Sequence, residues 1–432
     1  MKQNLLFSSC ALALIAAAPA PKPNPATLKS NVEKLVSFGT RHSLSSPTDP
    51  KRGIGAARAW AASQLEAFAK ACGGCITVDM PSKRFEGPRA PDGVTIVNVL
   101  GIQKGSGSPN DVVVVAGHID SRVSDPMDFT RNAPGANDDG SGVALVLEAA
   151  RLLSKEKHRA TIVYTILSGE EQGLWGGRLL AETAKARGWT VLAMLNNDIV
   201  GNTKGQDGRI VADRVRVFSE GIRFAEDEAT QRARRGNGGE DDGPSRALAK
   251  AVVRIAGPIP AVAPFLVRRP DRFSRGGDHL PMLEAGFPAV RFSVGVENYD
   301  AQHQDLRVEN GRIYGDTIDR MDFAYLAHVT NLNVRVLREL ANAPPAPVLV
   351  TLAGAVSSDT NISWAPVAGA AGYRIRWRRA DMQDWSFRRD VFAPQTSIML
   401  KGVIVDDHFF GVSAVSADGK ESLVTFGGAA PR

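Results

Sequence analysis

Four apolar runs in this chain are each followed by acidic residues or histidine. After 112–116 comes Gly117-His118-Ile119-Asp120, and after 161–167 comes Ser168-Gly169-Glu170-Glu171-Gln172-Gly173. After 191–195 comes Asn196-Asn197-Asp198, and the loop beyond 289–294 carries Gln302-His303-Gln304-Asp305. Between the first two runs lies Gly135-Ala136-Asn137-Asp138-Asp139-Gly140-Ser141-Gly142. Each piece has an ordinary explanation. Asp138 or Asp139 could cap a helix starting near Ser141, and Glu170-Glu171 could favour a helix start through its dipole. Asp198 could form an Asx-turn, and a lone histidine usually only packs. Their succession at the ends of apolar runs is hard to assign to chance. Two histidines with several carboxylates form a hard-to-borderline nitrogen and oxygen ligand set suited to zinc. Residues two apart on a strand face the same side, so His118 and Asp120 point together. That spacing suits a ligating imidazole whose other nitrogen is oriented by a carboxylate.

Such groups need a scaffold that brings distant loops together. Between about residues 26 and 340 the pattern alternates strands and helices. The runs 94–100, 112–116, 161–167, 191–195 and 289–294 read as buried strands; 141–154, 177–187 and 323–340 read as helices. This alternation predicts an α/β fold, a mainly parallel or mixed sheet covered on both faces. Ligands of such sheets bind beyond the carboxyl ends of the strands, where the acidic residues fall. Residues 221–246, ending in RRGNGGEDDGPSR, read as an exposed, mobile loop with a solvated mixed charge. The segment 341–347 (ANAPPAP) reads as a linker. Short strands at 361–364, 372–378, 397–400 and 408–415 then predict a small C-terminal β-sandwich. Within it Tyr373, Ile375 and Trp377 alternate with Arg374, Arg376 and Arg378, which predicts a half-buried strand with a solvated arginine face.

The bulk numbers agree. The 432 residues are 43% hydrophobic and 23% charged, with 42 Gly and 25 Pro, which excludes collagen-like and disordered classes. This length predicts two or three domains. A net charge of +6, from 52 basic and 46 acidic residues, is thin and scattered, giving no footprint for nucleic acid. Residues 1–20 read as a secretory signal: Lys2, an apolar run from Leu5 to Ala18, then the small-residue pattern Ala18-Pro19-Ala20. The run falls short of the roughly 20 apolar residues of a membrane span. Export without a retained anchor is therefore expected, leaving a periplasmic or extracellular protein with no stable membrane insertion. In an oxidising compartment, Cys72 and Cys75 of ACGGC suggest a local disulfide, ahead of free thiols or a thioredoxin-like motif.

The set His118-x-Asp120, Asp138 in GANDDGSG, Glu170-Glu171 in SGEEQGLWGG, Asp198 in NNDIVGN and His303 resembles one family. This is the co-catalytic di-zinc aminopeptidase family, which also has glutamate carboxypeptidase-like members. The motifs stand in the family's order. The resemblance implies a three-layer αβα sandwich over 21–340 on a mixed, mostly parallel sheet of about eight strands. The segment 348–432 resembles a fibronectin type III domain, with Trp364 and Tyr373 at matching places. The family resemblance further implies two zinc ions per chain. Asp138 would bridge them, His118 and Asp198 completing one site, Glu171 and His303 the other. Glu170 would be the general base, Asp120 would orient His118, and the Asp138–Asp139 peptide would be cis. Zinc lowers the pKa of its water to about 7. A metal-bridged hydroxide would then attack, and Glu170 would carry its proton to the leaving amine.

Two features depart from or extend the pattern. Gln302, not Tyr, precedes His303, and Tyr299 is the nearest tyrosine, which leaves the oxyanion donor open. Asp278-His279-Leu280-Pro281 makes His279 a pocket candidate or a structural histidine. The expected function is an exported aminopeptidase acting on peptides with a free N-terminus. The competing readings are a carboxypeptidase, for which Arg122 and Arg131 could hold a substrate carboxylate, and a one-zinc acyltransferase of the glutaminyl cyclase type. A third is an inert binding or adhesion protein.

Overall fold

The computed structural model describes residues 22–429, so the signal expected at 1–20 lies outside the described residues. The described residues open with helices α1 (Pro25–Val36) and α2 (Gly53–Ala71), then strand β1 (Ile76–Asp79). A hairpin of β2 (Ser82–Gly87) and β3 (Ala90–Val97) precedes β4 (Val99–Gln103) and β5 (Asp111–His118). Next come α3 (Gly140–Leu153), β6 (Thr161–Leu167), α4 (Glu170–Gly173), α5 (Trp175–Ala186) and β7 (Thr190–Asn197). The run continues through β8 (Arg214–Phe218), α6 (Glu228–Asn237), α7 (Pro244–Ala256), β9 (Ala263–Val267), α8 (His279–Glu284) and β10 (Ala289–Val294). After a small hairpin, β11 (Arg307–Glu309) and β12 (Arg312–Tyr314), the long helix α9 (Phe323–Asn342) closes this part.

Eight strands form one mixed sheet in the order β1-β4-β6-β5-β7-β10-β8-β9. The centre is parallel: β5 pairs with β6 and β7, and β7 with β10. β4 and β8 run antiparallel to their inner neighbours. The central strand explains the layering. Val113 and Val115 of β5 enter one apolar core with α1, α2, α3, α7 and α9, while Val112, Val114 and Ala116 enter another with α5 and α8. Because neighbouring side chains point to opposite faces, an unbroken valine run supplies both cores at once.

Three expectations need correction. The run 94–100 is not one strand, because Asn98 breaks it: its side chain donates to the Gly176 carbonyl and accepts from the Ser168 amide. β3 pairs only with β2, and β4 enters the main sheet. Segment 221–246 is not a plain loop. It carries α6, capped by Asp227 at the Thr230 amide, and the start of α7 with Pro244 in its first turn. No residue of α6 is buried, so it lacks the apolar stripe that marks a helix in sequence. The arginine face at 374–378 is not simply solvated. Arg378 is buried against Asp242, and Arg374 and Arg376 reach the buried Glu421 at 2.8 Å.

Those arginines belong to the C-terminal part, two four-stranded sheets face to face. One is β13 (Thr351–Ala353), β14 (Thr360–Ser363), β17 (Ser397–Leu400) and β20 (Gly428–Ala429). The other is β15 (Gly372–Arg379), β16 (Phe387–Phe392), β18 (His408–Val415) and β19 (Thr425–Phe426). Trp364, Tyr373, Ile375, Phe410 and Val412 fill the space between them. This sandwich is bolted to α7: Lys250 donates to Asp242 and to the Gln383 carbonyl at 2.8 Å each, and Arg254 lies 3.5 Å from Glu421. Cys72 and Cys75 are bonded just beyond α2. Among the described residues no helix is long and apolar enough to cross a membrane.

Candidate metal centre

β6, β5, β7 and β10 are consecutive in the sheet, and the loops at their carboxyl ends converge. β5 ends on His118 and β7 is followed by Asp198. β6 turns through Gly169, at φ +77°, into α4, which opens on Glu170 and Glu171. The loop after β10 supplies His303. The amino end of α3 is pressed into the gap between β5 and β7. A Cβ on Gly142 would meet the Asn197 carbonyl at 2.2 Å, and one on Gly117 would meet Gly142 at 2.6 Å. Glycine at both positions is what lets the Asp138–Asp139 segment reach the strand ends.

The two aspartates take different roles. Asp139 caps α3 at the Gly142 amide (2.9 Å) and accepts from the His118 amide (2.9 Å). Asp138 points the other way, joined to Asp139 by a cis peptide. Its Oδ1 lies 3.2 Å from His118 Nε2, and its Oδ2 lies 3.0 Å from His303 Nε2. His118 Nε2 is 3.9 Å from Asp198, and His303 Nε2 is 3.0 Å from Glu171 Oε1. Two groups result, His118–Asp138–Asp198 and Asp138–Glu171–His303, each with its ligand atoms within 4.8 Å of one another. Asp138 serves both, one oxygen to each.

The donor chemistry fits a cation in each group. His118 Nε2 and Glu171 Oε1 are buried with no hydrogen-bond partner in the protein, and both face the clusters. A buried polar atom left unpaired costs about 1–3 kcal/mol, which coordination would remove. Burial alone would raise the Asp138 carboxyl, yet the neighbouring imidazoles of His118 and His303 hold it well below the usual carboxylate range. Glu170 behaves oppositely: burial, with Asp198 and Glu171 nearby, pushes its carboxyl well above the ordinary value. No hydrogen bond engages its side chain among the described residues, which leaves it beside the clusters and uncommitted.

A shell of fixed groups holds these ligands. Asp120, fully buried, stands 3.6 Å from His118 Nδ1 and accepts from the amides of Glu170 (3.3 Å) and Glu171 (3.1 Å). Asp316 accepts from the amides of Asn137 (2.9 Å) and Asp138 (2.7 Å). Arg41 is buried with its guanidinium bonded to the carbonyls of Leu35, Ile119, Pro134 and Gly135, tying together the two loops around the site. Arg291 of β10 lies 2.8 Å from Asp198 and 3.2 Å from Asp271. Arg122 donates to Glu171 (2.9 Å), and its guanidinium lies 2.6 Å from His303 Nδ1. Each group is thus backed by one arginine.

Of these, Arg41, Arg291 and Asp316 were not singled out from the sequence. Arg291 carried the one visible signal, a charge inside the apolar run AVRFSV. His279 is buried, 2.7 Å from the Pro270 carbonyl and 3.7 Å from Asp271, so it supports Arg291's partner and does not line an open pocket. Tyr299 is 54% exposed and its hydroxyl bonds to none of the ligand groups. Gln302 is the residue at the centre instead: its Nε2 donates to Asp138 at 3.2 Å, and Arg275 donates to its Oε1 at 3.1 Å. Arg131 is bound to Asp305 (2.7 Å) at the surface.

The sequence profile of peptidase family M28 matches residues 98–336, which hold every member of both clusters. A probable zinc metalloprotease of Pyricularia oryzae is 40% identical over 414 residues, covering 93% of this chain and 82% of that protein. Two solved structures show the same fold. A glutaminyl cyclase from Fimbriiglobus ruber superposes with a TM-score of 0.52 at 17% identity, over 76% of this chain and 99% of that one. An aminopeptidase from Aneurinibacillus sp. strain AM-1 gives 0.50 at 14% identity, over 74% and 95%.

Proposed function

This chain belongs to peptidase family M28, and from that membership we propose that it is an exported, zinc-dependent aminopeptidase. The observation that carries the reading is Asp138, which offers one oxygen to each of two otherwise separate ligand groups. His118 and Asp198 would hold one zinc ion, Glu171 and His303 the other, with Asp138 shared. When bound, zinc supplies Lewis acidity toward the scissile carbonyl and makes water easier to deprotonate. The name carried by the fungal relative supports the choice of metal.

The chain's own residues then divide the work. Glu170 takes a proton from the attacking water as the new C–O bond forms, and delivers it to the amine as the C–N bond breaks. Asp120 fixes the ring of His118 through its backbone carbonyl, 3.1 Å from Nδ1, and through two amides bonded to its carboxylate it fixes the position of Glu170 and Glu171. Gln302, held by Arg275, keeps the Asp138 carboxylate in its bridging orientation. Arg122 and Arg131 do not favour the carboxypeptidase reading, because their guanidiniums are spent on Glu171, His303, Asp128 and Asp305.

Metal analysis with a matched substrate pair tests this. About two zinc ions per chain are expected, with cleavage of a free-amino aminoacyl substrate and not of its N-acetylated form. Equal cleavage of both would end the exopeptidase reading. One zinc ion with cyclisation of N-terminal glutamine and no hydrolysis would point to the acyltransferase.

A further inference from the structure

A second concavity lies at the other end of β7. That strand begins with Thr190, Val191 and Leu192 in the cavity wall and ends beside Asp198. Its eight residues separate the two places by roughly 25 Å at about 3.3 Å per residue. The cavity encloses about 660 Å³ in the seam where the sheet, α6 and the sandwich meet. That volume lies in the range of about 300–1,000 Å³ typical of small-molecule sites. Leu192, Pro288, Leu340, Leu423, Val424 and Phe426 make its walls apolar. α6 roofs it, held over the seam where Gly238 and Gly239 pack on Phe409 and Phe426.

Four charged residues reach the cavity: Arg223, Glu226, Arg234 and Asp242. Glu226 and Arg234 bind each other at 2.9 Å. Asp242 is spent on Lys250 at 2.8 Å and on Arg378. Arg223 is half-buried and, among the described residues, makes no hydrogen bond or close ion pair, although the Glu220 and Asp227 carboxylates are near enough to feel its charge. The uncommitted charge at this apolar chamber is therefore a cation. A guanidinium at the edge of an apolar space suits a molecule with an anionic head and a hydrocarbon body.

We propose that the seam binds an anionic amphiphile, a carboxylate on an extended hydrocarbon chain, with its head on Arg223. The ligand would not be a substrate. It would touch the sheet, α6 and the sandwich together, so its binding would tighten the docking of the last domain. This inference is independent of the peptidase reading.

The full chain is titrated with cis-parinarate, a fatty acid that fluoresces in apolar sites, and with its methyl ester. Saturable binding of one probe per chain is expected, the carboxylate being preferred. Arg223→Ala should weaken the carboxylate about fivefold and leave the ester unchanged. Ala233→Trp, which projects an indole from exposed α6 into the chamber, should abolish binding of both while the circular dichroism stays that of the wild type. Non-saturable binding, or saturable binding indifferent to Ala233→Trp, overturns the proposal. So does an Arg223→Ala variant that binds carboxylate and ester as the wild type does, or weakens both alike. Should Ala233→Trp misfold, the carboxylate-to-ester comparison in Arg223→Ala still decides.

Discussion

Replacing Asp120 with asparagine should damage both the fold around the centre and its hold on metal, by amounts the geometry sets. The buried carboxylate accepts from three donors: the Glu170 amide at 3.3 Å, the Glu171 amide at 3.1 Å and the Ser43 hydroxyl at 3.2 Å. It also stands 3.6 Å from His118 Nδ1. Asparagine keeps one acceptor oxygen, and its NH₂ must face a group that itself donates. The two amides are bound to different oxygens, so at least one is left unpaired, a loss of about 1–3 kcal/mol in the metal-free protein. His118 keeps the Asp120 backbone carbonyl 3.1 Å from its Nδ1 but loses the carboxylate charge 3.6 Å away, which weakens metal binding about 10-fold, or about 1.4 kcal/mol. Urea unfolding of the chelated protein reads the first effect; zinc titration by calorimetry reads the second. Because His118 serves one group only, the affinity of that group should fall most. If stability and both zinc affinities match the wild type, Asp120 supports neither the ring nor the α4 turn, and the reasoning fails.

Other outcomes can be checked in the same way. Glu170→Gln should retain wild-type zinc content yet lose about 10²–10⁴ in kcat; if the metal leaves with the carboxylate, Glu170 is a ligand and the assignment of roles is wrong. Arg291→Met should cost about 3–5 kcal/mol in denaturant melts of the metal-free protein, since it leaves Asp198 buried without its paired cation and Asp271 with Arg272 alone. Chelation should lower Tm, and zinc, but not magnesium, should restore it, because the mixed nitrogen and oxygen donors suit zinc. Burial would raise Glu421, yet Arg254, Arg376 and Arg374 hold it below the ordinary glutamate value. Its contribution is therefore complete above about pH 4.3 and is lost as pH falls through the depressed value. Tm should drop on acidification below pH 4 in the wild type, and less steeply in Glu421→Gln.

The sequence was readable where a residue's role depends on its chain neighbours. His118, Asp198 and the Glu170-Glu171 pair follow apolar runs that had to be buried strands, so their place at strand ends came with the pattern. Asp138 and Asp139 are identical and adjacent, so propensity alone could not say which caps α3 and which faces the cluster. Arg291 meets Asp198 only because β7 and β10 lie side by side, a pairing across 93 positions that no local pattern encodes. α6 was hidden for a different reason. A helix with no buried residue has no apolar period, and its lid-like position over the seam depends on Phe409 and Phe426, which lie far along the chain. The arginines at 374–378 alternate as a solvated face would. Only the tertiary structure brings Glu421 and Asp242 to meet them.

The sharing of Asp138 also constrains how such a centre can change over generations. Each of the other four residues, His118, Asp198, Glu171 and His303, belongs to a single group. If each group holds an ion as proposed, altering one of these four removes a ligand from one group only, whereas a change at Asp138 strikes both together. The arginines bear on such a partial loss. Arg291 already stands beside Asp198, and Arg122 beside Glu171. A group that no longer gathers a cation would lapse into a buried ion pair, not a cluster of repelling acids. The shared aspartate is therefore the one position among the five at which a single substitution removes a ligand from both groups.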